Sequence, residues 1–216
     1  AKVKGIDLVI DGHSHTVLEN GLQVEGGALI AQTGEYLNNI GTVDITITDG
    51  KVTAMTASLE ATPAEESADW TPDTAVVEKI SSIEEENAKI TSEVIGSTPV
   101  KLDGERADAR TKETNLANLL TEAMIDATSA DIAITNGGGI RASIEAGDIT
   151  KGDVLTVLPF GNFICTVNVT GAAVLEALEH GVSAYPETAG HYSQVGGIKV
   201  TFDSTKEAGS RIVSVT

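Results

Sequence analysis

Four groups of residues in this chain have the types and spacing to do chemistry. They are Asn136-Gly137-Gly138-Gly139-Ile140-Arg141, Pro159-Phe160-Gly161-Asn162, the pair Arg106 and Arg110, and Asp11-Gly12-His13-Ser14-His15. Three consecutive glycines cost backbone entropy and pack nothing, so the chain gains from open backbone there, either for a bound ligand or for an irregular turn. Arg141 can neutralise an anion, and Phe160 either offers a flat face to a planar ring or fills the core; charge with ring points to a nucleotide. The dinucleotide fingerprint differs, because it needs a helix after the third glycine and Ala142 to Asp148 is too short and glycine-broken for one. His13 and His15 have the type of metal ligands, but a site needs more donors than lie nearby. Arg106 and Arg110 sit in a polar loop, 103–110, which by itself reads as exposed and salt-bridged.

The elements that must position these groups alternate between strand and helix patterns. An apolar run at residues 6–10 ends at the histidine pair, and 27–33 and 41–48 read as further strands, with Asp49-Gly50 turning the chain back along 51–59 into one small sheet. Residues 61–74 read as a linker by composition, with Trp70 as a docking anchor. Helical spacing of Val76, Val77, Ile80, Ile83 and Ile90 predicts a helix of about five turns. A strand over 95–102 and a helix over 113–128 follow, the latter with Leu116, Leu119, Leu120, Ala123 and Met124 on one face. Residues 131–135 read as a buried strand delivering the glycines from its C-terminal end, and 155–158 and 163–169 as two more strands. Thr170 caps a helix over 171–180, with His180 placed to suit its dipole. A hairpin of 197–203 with 211–215 closes the pattern.

Thirty-two acidic against fourteen basic residues give a net charge of -18, which disfavours nucleic acid and anionic membranes as partners. Any phosphate must be met by a few focused arginines. No apolar run is long enough to span a bilayer. Cys165, the one cysteine, reads as a small buried hydrophobe.

The order of Asp11-Gly-His-Ser-His15, Arg106 and Arg110, Asn136-Gly-Gly-Gly-Ile-Arg141, Pro159-Phe-Gly-Asn162 and Gln194-Val-Gly-Gly197 resembles the two-domain 5′-nucleotidases. This family of secreted or surface metallophosphatases also contains 2′,3′-cyclic-nucleotide phosphodiesterases and nucleotide-sugar hydrolases. The resemblance implies a mixed α/β fold in three parts. Residues 1–60 would be the end of a metallophosphatase domain, 61–95 a linker with a helix serving interdomain rotation, and 96–216 a C-terminal substrate-recognition domain. It implies two divalent metal ions, Zn, Mn or similar, with His13 and His15 among their ligands. It assigns Arg106, Arg110 and Arg141 to the anionic or hydroxyl groups of a nucleotide, Phe160 to the base, and Asn136, Asn162 and Gly190 to base or ribose.

The family's remaining metal motifs belong ahead of residue 1, so the resemblance implies a piece that holds substrate but is inactive alone, with weak nucleoside binding. The alternatives are a cyclic-nucleotide or nucleotide-sugar enzyme, or a non-catalytic nucleoside-binding surface module. An extracellular, periplasmic or cell-surface location and a homodimer formed through the N-terminal strands are the further expectations.

Overall fold

In the computed structural model, residues 3–63 and 71–216 are described. Trp70 and half of the linker around it lie outside them, so the docking role falls outside the described residues. The chain divides into two compact units, Ala1–Thr74 and Ala75–Thr216.

The first unit is built of strands. β1 (Leu8–Ile10) runs parallel to β3 (Leu29–Ala31), and the short β2 (Leu22–Gln23) lies antiparallel on the other edge of β3. β4 (Asn39–Thr48) and β5 (Lys51–Ala61) form a long hairpin. Its turn residues Asp49 and Gly50 both take positive φ, at 52° and 73°, the pattern that an Asp-Gly pair allows in a two-residue hairpin turn. The sequence predicts one small sheet; the structure has two, since the hairpin forms a ladder separate from β1–β3–β2.

The second unit opens with α1 (Thr74–Thr91), a helix of 18 residues that buries none of its side chains. β6 (Val94–Thr98) pairs antiparallel with β8 (Gly147–Thr150). Between them come α2 (Arg106–Ala109), α3 (Asn115–Thr128) and β7 (Ala133–Asn136). α4 (Lys151–Val157) and α5 (Gly171–Gly181) follow β8. β9 (Ser193–Gly196) pairs antiparallel with β7, and β10 (Val200–Phe202) with β11 (Ile212–Val215). The core is one cluster of Leu102, Ala109, Leu116, Ala117, Ile140, Ile144 and Val157. α3 gives this core Leu116 and Ala117 with Leu120 packed against it, whereas Leu119 of the predicted apolar face is 46% exposed; Thr114 caps its first turn, accepting from the Ala117 amide at 3.2 Å.

Three sequence expectations need correction. Residues 155–158, read as a strand, form the last turn of α4 and its cap. A short apolar run fits either state by periodicity, and the deciding signal lies upstream, where Thr150 and Asp153 form a reciprocal capping box. Residues 161–170 take no regular secondary structure and belong to no ladder. β7 is separated from this segment by an apolar groove of about 300 Å³ lined by Ile132, Ile134, Ile164 and Val167, so the backbones do not meet. For the same reason Cys165 is exposed rather than buried. His180 does occupy the last turn of α5, where it also stacks on His191 with ring centroids 4.7 Å apart.

The Thr150 amide and hydroxyl hold the Asp153 carboxyl below its ordinary range. A carboxylate depressed on folding adds stability above its unfolded pKa and gives it up as pH falls through the folded one. Asp153→Asn is therefore expected to lower stability by about 0.3–1 kcal/mol at neutral pH, with the gap closing in acid below the ordinary carboxylate range. Urea unfolding at both pH values measures it, and a gap that stays constant would exclude the ionised cap.

Candidate functional site

The C-terminal end of β7 delivers Asn136, and the chain then turns through a single 3-10 turn, Gly137–Gly139. Two of these glycines are needed for contact with the protein's own backbone. A Cβ on Gly137 would lie 1.9 Å from the Ala109 carbonyl oxygen, and one on Gly138 would lie 2.8 Å from both Cα and O of Gly190. Gly139 is different, since its nearest neighbour would be the Asn136 side chain at 3.5 Å. Gly190, predicted to touch ligand, has room for a side chain: a Cβ there would lie 3.8 Å from Gly138 and 3.9 Å from Arg110 Nη1. Its carbonyl accepts from the Gly138 amide at 2.9 Å and from Asn136 Nδ2 at 3.2 Å, so it fixes the predicted base-contacting asparagine.

Arg141 follows the turn. Its amide bonds Val157 O at 3.0 Å, which ties it to the end of α4, and α4 leads through Leu158 and Pro159 to Phe160. The Arg141 guanidinium consequently lies over the Phe160 ring, 5.6 Å from its centroid. This contact holds cation and aromatic as one unit on a ring that is still 57% exposed. Asn136, Phe160 and Asn162 line one open cleft of about 320 Å³, completed by apolar walls from Leu120, Met124 and Leu158. A hollow of about 360 Å³ beside Leu178, Tyr192 and Phe202 contains none of the predicted site residues.

Arg106 and Arg110 open and cap α2, and the short helix replaces the loop that the sequence predicts. Arg106 is exposed, whereas Arg110 is 8% exposed and its Nε has no hydrogen-bond partner. Burial lowers the Arg110 pKa first, and the positive charges of Arg106 and Arg141 lower it further. The segment is salt-bridged as expected, but through its acids and neighbouring lysines: none of the three arginines forms an ion pair among the described residues. The nearby acids are taken by lysines, Asp108 by Lys112 and Glu105 by Lys101. Three guanidiniums close enough to repel one another and free of ion pairs, in a protein of charge -18, concentrate positive charge locally.

The N-terminal unit holds the histidines. Both follow β1 at positive φ, 67° at His13 and 60° at His15, a conformation that needs support from its surroundings. Gln32 supplies it from β3's end: its Oε1 accepts from Ser14 Oγ at 3.0 Å and from the Thr16 amide at 2.7 Å, and its Nε2 donates to Asp11 Oδ2 at 3.2 Å. His13 is exposed, and the buried Nδ1 of His15 abuts Glu35 Oε2. Imidazoles are suitable donors for zinc, whereas manganese favours carboxylate and water oxygens beside them. Among the described residues no three His, Cys, Asp or Glu side chains gather, so these two fit as part of a metal site and do not complete one.

The sequence did not mark Gln194 and Tyr192 as site residues. Tyr192 O accepts from the Gly137 amide at 2.7 Å, and Gln194 pairs in register with Thr135 across β7 and β9. The sequence signal that touched Gln194 was its place in the Gln194-Val-Gly-Gly197 motif, which gives it no role.

Residues 94–216 match the profile of the family described as 5′-nucleotidase, C-terminal domain. The chain is 40% identical over 99% of its length to the trifunctional nucleotide phosphoesterase protein YfkN of Bacillus subtilis, of which it covers 15%. It is 30% identical over 99% of its length to a snake venom 5′-nucleotidase of Macrovipera lebetinus, covering 59% of it. The crystal structure of a 5′-nucleotidase precursor from Thermus thermophilus superposes with a TM-score of 0.71 at 34% identity, over 98% of this chain and 45% of that one. The chain thus spans between about one sixth and three fifths of these relatives.

The two kinds of glycine separate in a simple experiment. Gly137→Ala must displace backbone and is expected to lower unfolding stability by about 1–3 kcal/mol, while Gly139→Ala stays near wild type. Equal unfolding midpoints for the two variants would contradict the close approach of Gly137 to Ala109.

Proposed function

The chain belongs to the 5′-nucleotidase family, and from that premise we propose that its second unit recognises the nucleoside and phosphate of a nucleotide for a metal-dependent phosphohydrolase. The observation that carries this is the Arg141 guanidinium on the Phe160 ring beside the asparagine-lined cleft. A purine or pyrimidine stacks on the open face of Phe160. Asn136 and Asn162 each offer a donor and an acceptor to base edge or ribose, and Arg106, Arg110 and Arg141 take the phosphate. Neutralising that phosphate relieves the mutual repulsion of the three cations, which favours nucleotides over nucleosides.

His13 and His15 supply two ligands of a two-metal centre whose other ligands come from outside these residues. Divalent ions bound there would activate water and stabilise the phosphate oxygens. This chain's own contribution is to hold the two imidazoles in place and to bind substrate, so it does not hydrolyse nucleotides by itself. Substrates with cyclic or extended phosphates remain within the same recognition scheme, which fixes the nucleoside and one anionic group. An extracellular or cell-surface setting agrees with the acidic composition and with the venom origin of one relative. Among the described residues no helix is long and apolar enough to cross a membrane. Association of two copies would use the largely exposed β4–β5 hairpin.

Calorimetric titration with adenosine and with AMP is the test. Both are expected to bind, AMP more tightly, and Phe160→Ala is expected to weaken both by about 1–3 kcal/mol, the worth of one base–aromatic stack. Folded protein that releases no heat with either ligand would remove nucleotide recognition from this unit.

A further inference from the structure

Gln194 lies in β9, 2% exposed, and commits both protons of its side-chain amide to α2 and the turn that follows it. Nε2 donates to Ala109 O at 2.8 Å and to Lys112 O at 2.7 Å. Those carbonyls bracket Arg110. The backbone around them is otherwise tied only locally, with Ala109 N to Glu105 O, and Thr111 N and Lys112 N to Asp108 O. A helix of four residues has almost no stability of its own, and its final carbonyls have no partners within it. Ala109 is fully buried, so its carbonyl has no water to turn to. This same oxygen is the surface against which Gly137 packs.

We propose that Gln194 is the positioning residue of the anion subsite, fixing the turn from which the Arg110 guanidinium reaches Gly190. The proposal rests on the assignment of the arginines to phosphate. The Arg110 side chain is packed to 8% exposure, but its Nε is unpartnered and no ion pair braces it, so its backbone sets where the guanidinium starts from. Aim therefore passes from β9, through one carboxamide, to the turn and its guanidinium. Only a two-proton donor of this length serves. A carboxylate would set negative oxygens against two carbonyl oxygens, and an aliphatic side chain would leave both carbonyls buried and unpaired.

The experiment compares wild type with Gln194→Met and Gln194→Glu by titration with AMP and adenosine, together with amide hydrogen exchange. In Gln194→Met the tightening that AMP shows over adenosine is expected to fall at least tenfold, while adenosine affinity stays within about twofold. Phe160→Ala instead weakens both ligands together, which separates aiming of the arginine from general damage. Arg110→Ala added to Gln194→Met is expected to cost little more for AMP, because the two act on one interaction. Exchange at 109–112 is expected to rise at least tenfold in both Gln194 variants while β7 and β9 keep their protection.

An unchanged AMP-to-adenosine ratio in folded Gln194→Met, or unchanged exchange at 109–112, overturns the proposal. If neither Gln194 variant folds, wild type alone decides. Protection of the Thr111 and Lys112 amides comparable with α3 in the ligand-free protein supports the pinned turn, and unprotected exchange there refutes it. Wild type that binds neither ligand would sink phosphate recognition, and the exchange result would still decide whether Gln194 holds the turn.

Discussion

The second unit depends on one approach of backbone to backbone, Gly137 against the carbonyl of Ala109. No residue with a Cβ fits there, since its first carbon would stand 1.9 Å from that oxygen. Because α2 can come so close, Ala109 enters the same apolar cluster as Leu116, Ile140 and Val157, and the glycine turn rests directly on the core. Dense interiors deform little, so groups anchored to such a floor keep their relative positions. Asn136, Arg141 and the α2 turn all stand on it, two of them on adjoining stretches of chain and the third far away in sequence.

Much of the fold was legible because local chemistry and tertiary packing agree. α3 has a capping threonine, a clean apolar stripe and left-handed Ser129 at its end; the β4–β5 hairpin has Asp49-Gly50; α5 has Thr170. Where they diverged, the sequence pattern misled. Residues 155–158 carry strand-like apolar residues, but the capping box at Thr150 and Asp153 commits them to a helix. Residues 163–169 alternate as a strand should, yet a strand is defined by its neighbour, and alternation says nothing about whether one is within reach.

The candidate site shows the same division. Residue type and order picked out Arg141 with Phe160 and the two asparagines, and these do lie together. The reason for the glycines was less legible. Open backbone for a ligand and close packing against Ala109 leave the same mark in a sequence, and the geometry favours packing for Gly137 and Gly138. Gln194 was harder still, because its bonds to Ala109 and Lys112 cross 85 and 82 residues, and no local pattern encodes such a bond. The paired acids of Lys101 and Lys112 matter in the same hidden way, by leaving the arginines unclaimed.

The irregular segment after Phe160 bears on how many copies of this protein can share a solution. Phe163 is 92% exposed and Val167 76%, on a segment whose backbone joins no ladder among the described residues. An exposed, uncharged stretch rich in strand-forming residues is of the kind that pairs across chains in cross-β association. Against it stands the net charge of -18, which makes each molecule repel its like. Acidity that shuts out polyanions thus doubles as a colloidal brake, and its strength is set by the ions around it, falling as added salt shortens the reach of the repulsion.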